Sequence, residues 1–129
     1  MNRKFLLIED NEQNRYLVNF LLEQRGYEIV SADSGPLGID LAGQVHPDLI
    51  LLDIQLPGMD GYTVARAIKS NPALRAIPIV AVTSYAMVGD REQAMAAGCD
   101  GYIEKPINPR TFVGEVEKFL RPQEKGDTL

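Results

Sequence analysis

Short apolar runs alternate along the chain with longer amphipathic segments. The apolar runs are residues 5–8, 28–31, 49–52, 77–82 and 101–103. After each run, apolar residues recur every three or four positions, which is the spacing of one helix face; the fourth such segment covers residues 86–97. Strands that alternate with helices predict a parallel sheet covered by helices on both faces. The second run, EIVSA, is more polar than the others and predicts an edge strand.

Glycine, proline and asparagine residues agree with these boundaries. Gly26 and Gly98 stand where the first and fourth helices are predicted to end, and Pro36 stands where the second is predicted to begin. Asn108 and Pro109 predict the N-cap and the first turn of the fifth helix.

The length of the chain, 129 residues, suits one domain. The predicted elements fill residues 1–121, whereas the polar segment 122–129 has no periodicity and is expected to be a frayed tail. Met1 lies so close to the first strand that we expect it to be the natural N-terminus.

Composition and charge narrow the classes of function. The formal net charge is −5, so nucleic acids and anionic membrane surfaces are unfavourable partners. One cysteine, Cys99, cannot form an internal disulfide and is expected to be a small buried residue; His46 is expected to lie in a loop. With one cysteine and one histidine, the chain has too few sulfur and nitrogen ligands for an ordinary zinc site, which is nearly excluded. Oxygen ligands for Mg²⁺ or Ca²⁺ remain possible. No stretch suits a membrane span or signal peptide, so the expected compartment is the cytoplasm.

Most of the chemically reactive side chains follow directly after apolar runs. They are Glu9 and Asp10 after the first run, Asp53 after the third, Thr83 and Ser84 after the fourth, and Lys105 after the fifth. The carboxyl ends of parallel strands meet at one edge of a sheet, where such folds bind their ligands. The pattern therefore predicts three acids, a threonine hydroxyl and a lysine around one crevice.

Each of these residues has an ordinary explanation when taken alone. Asp10 could cap the first helix, Glu9 could be a solvated loop acid, and Thr83 could cap the fourth helix. Together they indicate more, because three carboxylates at one edge repel each other unless a cation compensates. With oxygen ligands that cation is most naturally Mg²⁺, and Lys105 adds a second positive charge. Acids, Mg²⁺, a lysine and a hydroxyl are what the binding of a phosphoryl group requires.

Four segments then match one family in order and spacing: FLLIEDN, PDLILLDIQLPGMDGY, IPIVAVTSYAM and AGCDGYIEKPI. On these segments the chain resembles the receiver domain of two-component response regulators, over residues 4–120. The resemblance implies a flavodoxin-like (βα)5 fold, a doubly wound parallel sheet with strand order 2-1-3-4-5. Within the family, the chain is most similar to stand-alone, single-domain regulators of the bacterial cell-cycle type and to receivers of hybrid kinases.

The resemblance also implies roles for the reactive residues. Asp53 corresponds to the phosphoacceptor, whose carboxylate attacks the phosphorus of a phosphohistidine. Asp10 and Asp53 correspond to Mg²⁺ ligands, with Glu9 acting through water and the backbone carbonyl of Gln55 as a main-chain ligand. Lys105 corresponds to the lysine that pairs with the phosphoryl oxygens.

A second group corresponds to the parts that change on phosphorylation. Thr83 matches the hydroxyl that moves to the phosphoryl group. Tyr102 matches the aromatic switch on the face of the fourth helix, fifth strand and fifth helix. Pro106 matches a proline whose cis peptide bond aims Lys105 into the site. Without the family match, Tyr102 would be interpreted as an edge-strand aromatic with its hydroxyl at the surface.

Three residues flank the phosphoacceptor and are expected to tune its reaction rates. They are Gln55, Ser84 and Tyr85, and we expect the Tyr85 ring to obstruct the attacking water. Gln55 also bears on the class of reaction, because aspartyl phosphatases carry an acid two residues after the nucleophile and glutamine cannot transfer that proton. The loop EDNEQN lacks the glycines and hydroxyls that would hold a flavin phosphate in a flavodoxin-like binder.

The expected function is a phosphorylatable signalling switch and not an enzyme, although it assists its own phosphorylation and dephosphorylation. A sensor histidine kinase or a histidine phosphotransfer domain would supply the phosphoryl group. The signal would leave through contact with a target protein or through transfer to another histidine, from a monomer or a weak phosphorylation-dependent dimer. A degenerate receiver that acts only as a scaffold stays an alternative, disfavoured by the complete set of reactive residues.

Overall fold

A computed structural model of the protein describes residues 3–84 and 89–122. In chain order its elements are β1 (Lys4–Ile8), α1 (Glu12–Glu23), β2 (Glu28–Ala32), α2 (Gly35–Val45), β3 (Leu49–Asp53), α3 (Gly61–Ser70), β4 (Ile79–Thr83), α4 (Asp90–Ala96), β5 (Gly101–Glu104) and α5 (Phe112–Glu117). The predicted alternation of strands and helices is confirmed.

The strands form one parallel sheet in the order β2-β1-β3-β4-β5. The register places Ile8 of β1 beside Leu52 of β3, and Leu52 beside Ala81 of β4. β2 lies at an edge, as the polarity of EIVSA predicted. Strand order reverses between β1 and β3, and a doubly wound sheet binds its ligands in the crevice at that point, beyond the carboxyl ends of the strands. The flavodoxin-like fold that the sequence resemblance implied is confirmed.

Helices cover both faces of the sheet, and alternate residues of each strand contribute to one core or the other. Leu6 and Ile8 belong to the core under α2, α3 and α4, whereas Phe5 and Leu7 belong to the core under α1 and α5. All five residues of β3 and of β4 are buried, which explains why both runs are almost continuously apolar. The last residue of β3, Asp53, is therefore held at the end of a strand that is packed on both sides.

The ends of α1 and α4 and the start of α2 lie where the sequence signals predicted. Gly26 and Gly98 adopt positive φ angles just after the ends of α1 and α4. Pro36 is the second residue of α2, which begins at Gly35 after the N-cap Ser34. Within residues 3–84 and 89–122 the longest helix has 12 residues, and no helix there is both long and apolar enough to cross a membrane.

The predicted start of the fifth helix is wrong. α5 begins at Phe112 and not at Pro109, because a turn precedes it. The backbone oxygen of Asn108 accepts hydrogen bonds from the N–H groups of Thr111 and Phe112, and its side chain accepts one from Arg110. Asn108 therefore closes this turn, and Thr111 takes the N-cap position of the helix.

The fourth strand also begins later than its apolar run. The Ile77 N–H donates to the backbone oxygen of Leu74 in the preceding turn, and Pro78 has no N–H to offer, so β4 starts at Ile79. α4 begins at Asp90, whereas the sequence predicted a helix from residue 86. Residues 86–88 of that prediction, and the predicted role of Tyr85, lie outside the described residues.

Candidate functional site

The carboxyl ends of β1, β3 and β5 bring four charged side chains together. Glu9 and Asp10 follow β1, Asp53 ends β3, and Lys105 follows β5. One carboxylate oxygen from each of the three acids lies within 4.8 Å of the other two. Asp53 and Glu9 are only 4% and 3% exposed, whereas Asp10 is exposed at the mouth of the cluster. The structure therefore contains the crevice of acids that the strand ends predicted.

Lys105 reaches this cluster from the β5 side. Its Nζ donates to Glu9 Oε1 at 2.8 Å and to Asp53 Oδ2 at 3.5 Å. The peptide bond between Lys105 and Pro106 is cis, and the Lys105 N–H donates to the Thr83 carbonyl at 2.7 Å. Only 10% of the Lys105 side chain is exposed. One largely buried ammonium group thus contacts two of the three carboxylates, and the cluster carries more negative than positive charge.

The electrostatics of Asp53 reflect this imbalance. Its pKa is raised from 3.8 to about 7, first by burial and next by the hydrogen bond and the charge of Glu9. The backbone N–H of Gln55 and the ammonium of Lys105 lower the same pKa, but by less in total. Near neutral pH the ionised carboxylate is incompletely compensated. Closely spaced carboxylate oxygens of this kind suit a hard divalent cation, whose charge would supply the missing compensation.

Gln55 connects the loop after β3 with the end of β4. Its backbone N–H donates to Asp53 Oδ1 at 2.9 Å. Its side-chain Nε2 donates to Thr83 Oγ1 at 3.0 Å, and its Oε1 accepts a longer hydrogen bond, 3.4 Å, from the Ser84 N–H. Thr83 is 1% exposed, whereas Ser84 is exposed. A single residue therefore contacts both the central acid and the hydroxyl that the sequence placed at this edge.

Tyr102 packs from β5 against the core on the α4 face of the sheet. The Arg91 guanidinium lies 5.2 Å from the centre of its ring, within cation–π range. Its hydroxyl is buried, and no hydrogen-bond partner for it is found among the described residues. Burial raises the pKa of this hydroxyl, and the nearby Asp90 and Glu104 raise it further. The alternative interpretation of Tyr102, with its hydroxyl at the surface, is wrong.

Two residues that the sequence interpretation missed support Glu9. The Asn11 N–H donates to Glu9 Oε2 at 3.2 Å, and Arg15 Nη1 donates to the backbone oxygen of Glu9 at 2.8 Å. Asn11 is also the N-cap of α1, because its side chain accepts from the Asn14 N–H at 2.9 Å. The N-cap preference of asparagine was a usable signal. Arg15 gave none, since its contact depends on how α1 packs over the strand end.

The loop between β3 and α3 packs directly against the backbone of Asp53. A Cβ atom on Gly61 would lie 2.6 Å from Ile54 Cα and 2.7 Å from the Asp53 carbonyl oxygen, so only glycine fits here. Gly58 has a φ of +82°, which suits the turn of this loop, and Asp60 caps α3 through the Thr63 N–H. Gly61 therefore has a positional role that the sequence pattern alone did not reveal.

The structure also decides between ordinary and reactive interpretations of single residues. Asp10 is not the cap of α1, since Asn11 takes that place, and Glu9 is not a solvated loop acid, since it is buried. The N-cap position of α4 is Gly89 and not Thr83. His46 ends α2 at the opposite edge of the sheet, away from the acids.

Cys99 is buried, as predicted, and burial raises the pKa of its thiol to about 11. Such a thiol is protonated at neutral pH and is correspondingly unreactive.

Comparison with known proteins identifies the family. The model of the response regulator receiver domain matches residues 5–117. The chain belongs to this family. It is a phosphorylatable response regulator receiver of two-component signalling, and the family assignment made from its sequence motifs is confirmed.

Relatives of this receiver include single regulators of similar length. It is 43% identical over 120 residues to the polar-differentiation response regulator DivK of Brucella ovis, an alignment that covers 93% of this chain and 98% of DivK. The DivK of Brucella anthropi is 42% identical over 120 residues, with the same coverage.

Solved structures agree with the fold. The chemotaxis protein CheY4 of Vibrio cholerae has a TM-score of 0.88 and 26% identity, and the match covers 93% of this chain and all of CheY4. The receiver domain of the sensor histidine kinase PA1611 from Pseudomonas aeruginosa has a TM-score of 0.84 and 31% identity over 92% of this chain and 98% of that domain. The PA1611 receiver is described with a magnesium ion coordinated in its active-site cleft.

Proposed function

We propose that Asp53 is the phosphoacceptor of this receiver and that the phosphoryl group comes from a phosphohistidine of a sensor histidine kinase or a histidine phosphotransfer domain. The observation that carries the proposal is the position of Asp53 at the end of a central, buried strand. There its oxygens lie beside those of Glu9 and Asp10 and 3.5 Å from Lys105 Nζ. Of the three acids, Asp53 is the one that ends a strand buried on both faces.

The transfer is a displacement at phosphorus. An oxygen of the Asp53 carboxylate forms a bond to phosphorus while the bond between phosphorus and the donor's imidazole nitrogen breaks. The electron pair of the broken bond returns to the imidazole, and this chain is left with an acyl phosphate. Such transfers depend mainly on positioning and on charge neutralisation. The packing of β3 on both faces supplies the first, and the charged groups around Asp53 supply part of the second.

The remaining charge neutralisation is assigned to Mg²⁺. Asp10, Asp53 and the backbone carbonyl of Gln55 would bind it directly, and Glu9 would act through water. The donor set fits, because the three acids offer oxygen ligands within 4.8 Å of one another and are opposed by one ammonium group. When bound, Mg²⁺ neutralises the carboxylates and the phosphoryl oxygens. The description of the similar PA1611 receiver with magnesium in its active-site cleft supports this assignment.

Lys105 acts on the phosphoryl group during and after transfer, and Thr83 acts on it after transfer. Lys105 Nζ lies between Glu9 and Asp53, a position from which it can pair with an oxygen of a phosphoryl group on Asp53. The Thr83 hydroxyl moves to another of these oxygens. Tyr102 on the neighbouring strand responds to that movement and alters the face of α4, β5 and α5, which binds the target. Three residues that flank Asp53 tune the rates of its phosphorylation and dephosphorylation: Gln55, Ser84 and Tyr85.

The remaining features of the proposal concern the protein in the cell. Residues 1–121 form the receiver domain and residues 122–129 a polar tail, in the cytoplasm of a bacterium. The receiver works without catalytic turnover of a substrate, as a monomer or a weak phosphorylation-dependent dimer. It signals by binding a target protein or by passing the phosphoryl group to another histidine.

The test uses Mg²⁺ with acetyl phosphate, followed by intact-protein mass spectrometry, and Mg²⁺ with beryllofluoride, followed by NMR of the Tyr102 ring. We expect the gain of one phosphoryl group and a shift of the Tyr102 signals, both lost in Asp53→Asn. Asp48→Asn is the matched control. Asp48 is also an acid next to β3, but it lies just before the opposite end of the strand, where its side chain accepts from the Lys4 N–H. That variant should behave as the wild type.

Other outcomes of the same experiment point elsewhere. Continuous release of phosphate from phosphate monoesters would favour an aspartyl phosphatase, and absence of both responses would favour a scaffold. Phosphorylation that survives Asp53→Asn would show that the acceptor is another residue.

A further inference from the structure

The side chain of Gln55 makes two hydrogen bonds that phosphorylation of Asp53 does not require. Its Nε2 donates to Thr83 Oγ1 at 3.0 Å, and its Oε1 accepts from the Ser84 N–H at 3.4 Å. The residue is exposed, so its amide has water as an alternative partner. A glutamine that is nevertheless fixed on a buried hydroxyl loses rotamer freedom, and the contact must outweigh that loss.

The backbone of the same residue is bonded to the proposed phosphoacceptor. The Gln55 N–H donates to Asp53 Oδ1 at 2.9 Å, so Gln55 spans the distance between Asp53 and Thr83. In the sheet register the partner of Asp53 is Val82, the residue before Thr83. Through these two hydrogen bonds Gln55 connects the Asp53 carboxylate with the Thr83 hydroxyl.

We propose that the Gln55 side chain is a latch that holds Thr83 and the start of the following loop in the unphosphorylated arrangement. The proposal rests on the proposed role of Thr83, whose hydroxyl moves to the phosphoryl group. While the Gln55 amide bonds Oγ1, that oxygen is held at its present position, and movement of Thr83 breaks the bond. Gln55 is thus a positioning residue, and part of the binding energy of the phosphoryl group is used to release it.

The latch is tested by the affinity of the Mg²⁺-loaded protein for beryllofluoride, measured by isothermal titration calorimetry. Gln55→Met keeps the length of the side chain and the backbone N–H but removes both amide hydrogen bonds. Beryllofluoride no longer has to break them, so we expect binding about threefold to tenfold tighter than wild type, the range that one such bond gives. Affinity for Mg²⁺ alone should stay within about twofold, since the substitution keeps the acids and the backbone carbonyl of residue 55, which are the proposed ligands.

A double-mutant cycle separates the latch from a change in packing. Thr83→Val removes the hydroxyl and keeps the shape of the side chain. In this background Gln55→Met should change beryllofluoride affinity by less than about twofold, because the principal bond is already absent. Unchanged or weaker binding in the single variant overturns the latch. So does an equal gain in both backgrounds, or a gain matched by a change in Mg²⁺ affinity.

The same titrations distinguish failure of the latch from failure of the proposed function. Wild type that binds beryllofluoride, with Asp53→Asn that does not, keeps the proposed function even where Gln55→Met overturns the latch. Wild type that does not bind beryllofluoride overturns both.

Discussion

Two lysines meet carboxylates at opposite edges of the sheet, with different results. Lys69 of α3 donates to the backbone oxygens of Arg75 and Ile77 at 3.0 and 2.8 Å and to Asp100 Oδ2 at 3.2 Å. An ammonium group has three hydrogens, and all three are used. The same Asp100 oxygen accepts from the Ile79 N–H at 2.9 Å. This cluster ties α3 to the amino ends of β4 and β5 and is complete as it stands.

The Lys105 cluster is not complete. There one ammonium contacts two buried carboxylates, a third carboxylate lies within 4.8 Å, and the pKa of Asp53 is raised to about 7. Lysine and acid occur in both clusters, so residue type does not separate them. What separates them is the ratio of charges and the presence of backbone acceptors. A balanced cluster stabilises the fold, whereas an unbalanced one is arranged for a cation and an anion that arrive later.

The largest effect that separates the two clusters is expected in the rate of phosphorylation. Lys105→Met removes the ammonium that neutralises charge at Asp53, and we expect the initial rate of phosphorylation by acetyl phosphate to fall about 100-fold. Intact-protein mass spectrometry over time measures it. Lys69→Met should react within about twofold of wild type, because its cluster lies at the other edge. Equal losses in the two variants would contradict the contrast.

The next effect is on stability, for which we expect Lys69 to matter more than Lys105. Lys69→Met removes the donor of two backbone carbonyls and the ammonium that pairs with Asp100, and we expect the free energy of unfolding to fall by about 2–3 kcal/mol. Urea denaturation followed by circular dichroism measures it. Lys118→Met, at an exposed lysine of the α5 C-cap, is the control and should change stability by less than about 0.5 kcal/mol. A loss for Lys69→Met as small as that of the control would show that the cluster is not structural.

The smallest effect is expected in the free energy of unfolding when the charge of Asp53 is removed from the Lys105 cluster in the absence of metal. In the folded protein Asp53 stays protonated up to about pH 7, whereas an unfolded aspartate ionises near 3.8. The folded state therefore binds the extra proton between these values, and this residue makes stability fall as pH rises through that window. Asp53→Asn removes the dependence. We expect it to equal wild type near pH 4 and to be more stable by about 2 kcal/mol at pH 8.

Urea denaturation in EDTA at both pH values measures this difference, and excess Mg²⁺ should stabilise wild type while leaving Asp53→Asn nearly unchanged. A variant that is less stable than wild type at pH 8 in EDTA would mean that the cluster is balanced without metal.

Much of the fold and of the candidate site followed from local patterns. Asp53 and Lys105 could be placed in one crevice because each follows an apolar run, and parallel strands end at a common edge. Helix boundaries were harder to predict from the sequence. Asn108 has the sequence of an N-cap, yet its backbone and side chain close a separate turn before α5. Arg15 could not be found, because its bond to Glu9 depends on the path of α1 above the sheet.

The sequence by itself determined the alternation of strands and helices, the edge at which the acids collect and the family. The spacing of hydrophobic residues determines whether a segment forms a strand or a helix. Because the strands are parallel, their carboxyl ends meet at the same edge of the sheet. Only the tertiary structure decided which partners the side chains take. It put Lys105 closer to Glu9 than to Asp53, the Gln55 amide on Thr83, and Lys69 on Asp100. These contacts join residues far apart in sequence, and they depend on burial, distance and charge balance that arise only when the elements pack.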